Sequence, residues 1–203
     1  MNSPILEVKG ISKTFGSIKA LDSVDFYLQK GIVHGLLGEN GAGKSSLMNV
    51  LSGIYIPESG SIKINNQKIE KMSPDIAASF GIGMVHQEFR LIESFTIKDN
   101  LTLSKASIFN DNFKEAYDKY SEIFALNSNY LTPVNELSVG EKQKVEIMKL
   151  IFKNSQIMLL DEPTAVLTPQ ETLQLKGSLE KLSQEDEKTI VLITHKLKEI
   201  KDF

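Results

Sequence analysis

The segment that most restricts this chain is Gly38-Glu39-Asn40-Gly41-Ala42-Gly43-Lys44-Ser45. It follows the apolar run Ile32 to Leu37 and leads straight into a helical pattern over Ser45 to Leu51. Glycine at both ends of a four-residue gap, then lysine and a hydroxyl, satisfies the phosphate-loop pattern in its strand-turn-helix setting. Average residue usage gives such an octapeptide by chance in on the order of one in a hundred chains of this length, before the setting is counted. The physical basis is close approach. Several backbone N–H groups must converge on one polyphosphate, and glycine removes the Cβ atoms that would hold the backbone away. Lys44 is expected to reach the β and γ phosphates, Ser45 to put its hydroxyl on Mg²⁺, and Ser46 to hydrogen-bond the α-phosphate, aided by the positive end of the following helix.

A phosphate cradle needs a carboxylate for its metal. Ile157-Met158-Leu159-Leu160-Asp161-Glu162 supplies one at the end of an apolar run, where ligands of open α/β sheets sit. Asp161 is expected to hold Mg²⁺ and Glu162 to take a proton from the attacking water. Taken alone, the pair also reads as two surface acids starting a turn, a reading that the cradle makes minor.

The rest of the chain forms the frame. Alternation at Ile5 to Val8 and Val24 to Leu28 reads as half-exposed antiparallel strands, and Ile32 to Leu37 as a central strand covered on both faces. Apolar runs at Ile157 to Leu160 and Ile190 to Ile193 each precede helix-forming sequence, so the core reads as a parallel sheet flanked by helices. Polar, helix-compatible sequence from Gln87 to Leu137, with helical spacing at Ile97 to Leu103 and Phe113 to Leu126, reads as a mostly helical insertion.

Composition narrows the function. The chain has 203 residues with 23 basic and 26 acidic, a net charge of −3, which excludes non-specific attraction to nucleic acid. Arg90 is its one arginine, so phosphate chemistry leans on lysine and backbone amides. With no cysteine there is no disulfide, which fits a reducing compartment. No apolar stretch reaches membrane-span length and MNSPILEVKGISK lacks the apolar core of a signal peptide, so a soluble protein is expected.

The order of the motifs resembles the nucleotide-binding subunit of an ATP-binding-cassette (ABC) transporter. It comprises the cradle, Gln87 after the apolar Met84-Val85, then Leu137-Ser138-Val139-Gly140-Glu141-Lys142-Gln143, the Asp161-Glu162 strand, and His195 closing another strand. MVHQEF, LSVGEKQKVEI and DEPTAVLTPQE resemble the ATPases of ribose/galactose-type sugar importers and of lipoprotein-dependent nucleoside importers, Asp161 to Glu171 most resembling the nucleoside branch.

The resemblance implies an α/β P-loop NTPase fold: an antiparallel β subdomain (1–31), a RecA-like core (32–90 and 155–203) and a helical subdomain carrying the signature (about 91–154). It implies ATP and Mg²⁺ as cofactors. Its partners would be a second ATPase half, transmembrane permease subunits and, indirectly, a solute-binding lipoprotein, at the cytoplasmic face of the cell membrane.

By the same resemblance, the residues from Gly38 to Ser46 hold the nucleotide and Phe15 stacks on adenine, the alternative for Phe15 being packing within the strand layer. Gln87 contacts Mg²⁺ and the attacking water, unless it is a buried structural glutamine. His195 contacts the γ-phosphate, while His34 and His86 read as core residues. Ser138, Val139, Gly140 and Glu141 bind the γ-phosphate of a nucleotide held on the opposite half.

Three departures stand out. Val139 and Glu141 replace the commoner glycine and glutamine, and Glu141 would bring negative charge toward an anion. Thr168 stands where aspartate is usual. The chain stops soon after His195, where the family's domain continues, so a shortened or N-terminal cassette is expected. Val139 and Glu141 motivate an alternative function, a regulatory half that binds nucleotide without hydrolysing it.

Overall fold

Two strand patterns build two sheets. The computed structural model of the chain describes residues 3–103 and 112–195; the parts of the expected helical and core segments at 104–111 and 196–203 lie outside the described residues. In the first sheet β1 (Leu6–Phe15) pairs antiparallel with β2 (Ile18–Leu28) across a turn whose Gly16 has φ 60°. After β3 (Val33–Leu37) and α1 (Lys44–Leu51), the chain returns to this sheet as β4 (Ser59–Ile64) and β5 (Gln67–Ile69), giving the order β2-β1-β4-β5.

The antiparallel layer therefore draws on residues 59–69 as well as on the first 31, a correction to the boundary read from the sequence. The hairpin turns at Asn65 and Asn66, whose φ values of 50° and 64° suit asparagine and match the twist of a tight two-residue loop. Alternation at Ile62, Lys63 and Ile64 was the available signal.

The second sheet is parallel, in the order β3-β8-β7-β6. Its remaining strands are β6 (Ile82–Val85), which follows α2 (Pro74–Ser79), β7 (Ile157–Asp161) and β8 (Thr189–Thr194). Between β6 and β7 come α3 (Ile97–Thr102), α4 (Phe113–Phe124), a 3₁₀ turn at Val134–Glu136 and α5 (Val139–Phe152), and α6 (Pro169–Glu185) joins β7 to β8.

Every residue of β8 is buried, yet the period of two still sorts the side chains. Met158, Leu160, Ile190 and Leu192 face a cluster with α4, α5 and α6. Ile157, Leu159, Val191 and Ile193 face α1 and the antiparallel sheet. The parallel sheet is thus the middle layer, and the helical insertion shares its core with one face.

Expectation and structure differ at β3. It pairs with β8 alone among the described residues, and Leu37 at its end is 43% exposed. Its faces are partly covered, Val33 on the helical side and Leu36 on the other. An apolar run reports the propensity to be buried but not the number of strand neighbours.

Among the described residues three helices begin with the same reciprocal cap, in which a hydroxyl side chain accepts the third helical N–H while the acid there accepts from the cap's own N–H. The pairs are Thr96 with Asp99 (α3), Ser138 with Glu141 (α5) and Thr168 with Glu171 (α6). Helix α4 is tied to α6 and its C-terminal cap by Ser178 Oγ donating to Ile123 O at 2.6 Å and by Tyr120 Oη donating to Asp186 at 2.9 Å.

Candidate functional site

Parallel register brings the chemistry to one end of the sheet. Leu36, Ile193 and Asp161 lie level across β3, β8 and β7, and Leu37 is level with Thr194. Gly38 and His195 therefore leave the sheet side by side, with Glu162 following Asp161. On the far side Val85 is level with Leu160, so Gln87 emerges at the same end.

The turn after β3 uses left-handed backbone at Gly41 (φ 83°) and Gly43 (φ 85°). These angles turn successive N–H groups toward one side, the geometry of an anion-binding nest. Gly43 is the N-cap of α1, which has no side-chain cap and no acid in its first turn. The first N–H groups of α1 are thus left facing outward with the positive end of the helix dipole. Lys44 Nζ donates to the carbonyls of Gly38 at 2.7 Å and Glu39 at 2.8 Å, so the ammonium curls back over the loop.

A cavity of about 330 Å³ opens beside this loop. Asn40, Gly41, Gly43, Lys44, Ser45 and Ser46 line it on one side, and Gln87, Asp161 and Glu162 on the other. Gly38, Glu39 and Ala42 shape the turn without lining the cavity, Ala42 N donating to Glu39 O at 3.2 Å. Ile18, Lys19 and Ala20, at the start of β2, complete the wall, and no local sequence signal marked them.

Asp161 and Ser45 line the cavity together. Burial pushes its carboxyl above the ordinary range; neighbouring Glu162 adds to the rise, and Ser45, His86 and Lys44 oppose it. Glu162 sits in the left-handed region at φ 48°, strained for a residue with a Cβ. Its N–H is held by Ile193 O at 3.1 Å, and its Oε1 is 3.0 Å from His195 Nδ1. His195 thus reaches the site through Glu162 rather than as part of the cavity wall.

The donors gathered at Ser45, Asp161 and Gln87 are hydroxyl, carboxylate and amide oxygens. That is the set magnesium takes when phosphates and water complete its shell. Among the described residues no cluster of three His, Cys, Asp or Glu forms a separate metal cage.

Phe15 closes β1 with its ring 41% exposed, edge-on to Tyr55 with centroids 5.0 Å apart and Lys13 Nζ 5.4 Å from its centroid. It borders the site through its pairing with Ile18 but does not line the cavity. His34 is half-buried, its Nε2 accepting from Gln29 N at 3.0 Å. His86 opens onto a second cleft of about 470 Å³ with Arg90, Glu146 and Lys149, where burial lowers its pKa.

The signature residues are elsewhere: none of Ser138 to Glu141 lines the loop cavity. Ser138 caps α5, and Glu141 folds back so that Oε2 accepts from Ser138 N and Oγ, both at 2.9 Å, while Oε1 accepts from Ser128 Oγ. Burial works to raise the Glu141 carboxyl, but the Ser128 and Ser138 donors together with Lys144 outweigh it and leave it lowered. Its negative charge is thus engaged by its own helix cap. Val139 is 49% exposed, and Gly140 is buried against Glu171. Neither Ser128 nor Glu171 was singled out from the sequence as a site residue; the Thr-x-x-Glu spacing 168–171 was the signal for the second.

Comparison with known proteins agrees with this geometry. Residues 21–165 match the family described as ABC transporter. The nucleoside import ATP-binding protein NupA of Lactococcus lactis is 42% identical over 205 residues, covering 98% of this chain and 40% of that protein. The ribose import ATP-binding protein RbsA of Caldanaerobacter subterraneus is 41% identical over 203 residues, covering 97% and 41%. The chain thus spans about 40% of the length of these relatives. Among solved structures, a nucleotide-free ATP-binding cassette from an ABC transporter is similar with a TM-score of 0.86 at 26% identity, covering 99% of this chain and 85% of that one. A dimeric bacterial ABC transporter cassette is similar with a TM-score of 0.84 at 27% identity, covering 97% and 90%.

Proposed function

This chain belongs to the ABC transporter family, and from that premise we propose that it binds and hydrolyses Mg-ATP to drive import of a small solute, a nucleoside or a sugar. One observation carries the reading: the glycine loop after β3 and the acids after β7 face each other across a single cavity, with Ser45 and Asp161 both in its wall.

The N–H groups from Gly41 to Ser46 and the Lys44 ammonium would hold the triphosphate, with Phe15 beside the base. Ser45, Asp161 and Gln87 would hold Mg²⁺, which when bound neutralises charge on the β and γ phosphates. Glu162 would accept the proton of the attacking water. His195, 3.0 Å from its carboxylate, would orient it and meet the γ-phosphate.

Ser138 and Gly140 begin a helix, an anion site of the same physical type as the loop, but they stand outside the loop cavity. They would therefore grip a nucleotide held by a second ATPase half, so that two halves enclose two nucleotides. Permease subunits in the membrane and, through them, a solute-binding lipoprotein complete the assembly at its cytoplasmic face. In keeping with a peripheral subunit, no helix among the described residues is long and apolar enough to cross a membrane. The presence of Glu162, Gln87 and His195 together favours hydrolysis over a regulatory half that only binds.

The test is Glu162→Gln with and without Mg-ATP. Binding measured by calorimetry is expected to stay within severalfold of wild type, while turnover falls by about 10²- to 10⁴-fold, the usual worth of a general base. Unchanged turnover removes Glu162 from that role.

A further inference from the structure

Glu171 is drawn into the site by a contact that its own helix does not need. Its Oε2 is used fully as a cap, accepting from Thr168 N at 2.9 Å and Thr168 Oγ1 at 2.8 Å. Its Oε1 faces across to the start of α5. A Cβ placed on Gly140 would overlap Oε1, come within 3.1 Å of Glu171 Cδ, and sit 3.5 Å from Leu167 Cδ2. The glycine is thus the gap into which the carboxylate and the Leu167 methyl fit.

Leu167 belongs to the turn that begins at Glu162. Ala165 N donates to Glu162 O at 3.0 Å and Leu167 N to Thr164 O at 3.1 Å, so two backbone hydrogen bonds brace the turn between Glu162 and the α6 cap. On the α5 side, Lys144 lies one turn beyond Gly140, is nearly buried, and acts by charge on both Glu171 and Glu141.

We propose that Glu171 is a positioning residue that locks the turn carrying Glu162 to Gly140, so that engagement of the α5 start by the nucleotide of the opposite half is transmitted to the hydrolytic base of its own half. The inference rests on the composite site proposed above and adds a coupling route to it. The route is short: Gly140 to Glu171 and Leu167, then three peptide units to Thr164, then Glu162. It is also rigid. Thr164 is buried and Leu167 packs on the main core cluster, and packed elements transmit displacement rather than absorb it.

The experiment compares Glu171→Ala, Glu171→Gln and Thr168→Ala in the full chain, reading steady-state kcat and KM for ATP, Mg-ATP affinity by calorimetry, and melting temperature. Thr168→Ala weakens the α6 cap but keeps both the Glu171 carboxylate and the Thr168 N–H that holds it, so it controls for loss of the cap hydroxyl. Glu171→Ala is expected to melt within a few degrees of Thr168→Ala and to bind Mg-ATP within about twofold of wild type, yet to lose at least tenfold in kcat. Thr168→Ala keeps kcat within about twofold. Glu171→Gln, which retains the shape and a cap acceptor, recovers kcat to within about threefold of wild type.

Equal kcat losses in Glu171→Ala and Thr168→Ala reduce Glu171 to a cap and overturn the proposal, as does an unaffected kcat in Glu171→Ala. A wild-type chain that fails to bind or turn over Mg-ATP is seen before any variant is made; it refutes the underlying function and this inference with it.

Discussion

Replacing Gly43 with alanine separates two effects that a glycine loop ordinarily combines. Gly41 and Gly43 have nearly the same left-handed φ, 83° and 85°, so alanine at either carries the same conformational strain, about 1–2 kcal/mol. Their surroundings differ. Nothing lies within 4 Å of a Cβ on Gly41, whereas one on Gly43 would overlap the Ala20 carbonyl oxygen and sit 3.1 Å from Leu21 Cδ2. Ala20 is in β2, held by its ladder with β1 through Lys19 and Leu21, so the obstacle is backbone that cannot rotate away. Overpacking of that kind adds about 1–3 kcal/mol, for a total of roughly 2–5 kcal/mol at Gly43.

Relief of the strain requires the loop to leave the conformation that aims its N–H groups, and ligand binding must restore it. At about 1.4 kcal/mol per tenfold in Kd, Gly41→Ala should weaken Mg-ATP binding by roughly 5- to 30-fold and Gly43→Ala by roughly 30-fold to several thousand-fold. Isothermal calorimetry with a non-hydrolysable ATP analogue measures both, and guanidinium unfolding confirms that each variant is folded. If Gly43→Ala binds as well as Gly41→Ala, the Ala20 wall does not constrain the loop and the reasoning fails.

Two further outcomes follow from named contacts. Tyr120→Phe removes the hydroxyl that reaches Asp186 and should lower stability by about 1 kcal/mol in denaturant unfolding while leaving Mg-ATP affinity unchanged; a loss of affinity would mean that the tie between α4 and the end of α6 also shapes the cradle. Asp161 contributes a pH dependence of its own, opposite in sign to that of the lowered carboxylates such as Glu141 and Asp99. Because burial raises its carboxyl in the folded chain, the unfolded chain ionises first, and the contribution of Asp161 to stability falls as pH rises from its ordinary value through the raised one. Asp161→Asn abolishes that loss, so the nucleotide-free variant should gain stability over wild type as pH rises from 3 to 7, and it should lose magnesium dependence. Guanidinium midpoints across that range check the sign, and a wild type that gains on the variant with rising pH contradicts it.

What could be read in advance was local. The strand ending at Leu37, the turn and the helix beginning at Lys44 are contiguous in sequence, and helix α4 announces itself by apolar spacing from Phe113 to Phe124. The reciprocal caps on α3, α5 and α6 are equally local, since Thr-x-x-Asp, Ser-x-x-Glu and Thr-x-x-Glu stand in the sequence. The one at α5 alters the reading of Glu141: its charge is turned onto Ser138 and Ser128 and is held by its own chain. The pairing of β3 with β8, the Ala20 wall behind Gly43 and the seat of Glu171 on Gly140 were out of reach, since each is a contact between segments whose separation carries no periodic signal.

Sequence alone determined which chemistry this protein carries, because a glycine turn, a lysine, a hydroxyl and a strand-end acid pair are properties of short contiguous segments and of the element each one terminates. Only the tertiary structure decided that these segments meet. Residues 38, 162 and 195 are far apart along the chain, and they come to one edge because β3, β8 and β7 run parallel with Leu36, Ile193 and Asp161 in register. Register is set by how two buried faces pack against their layers, and no single segment contains that information.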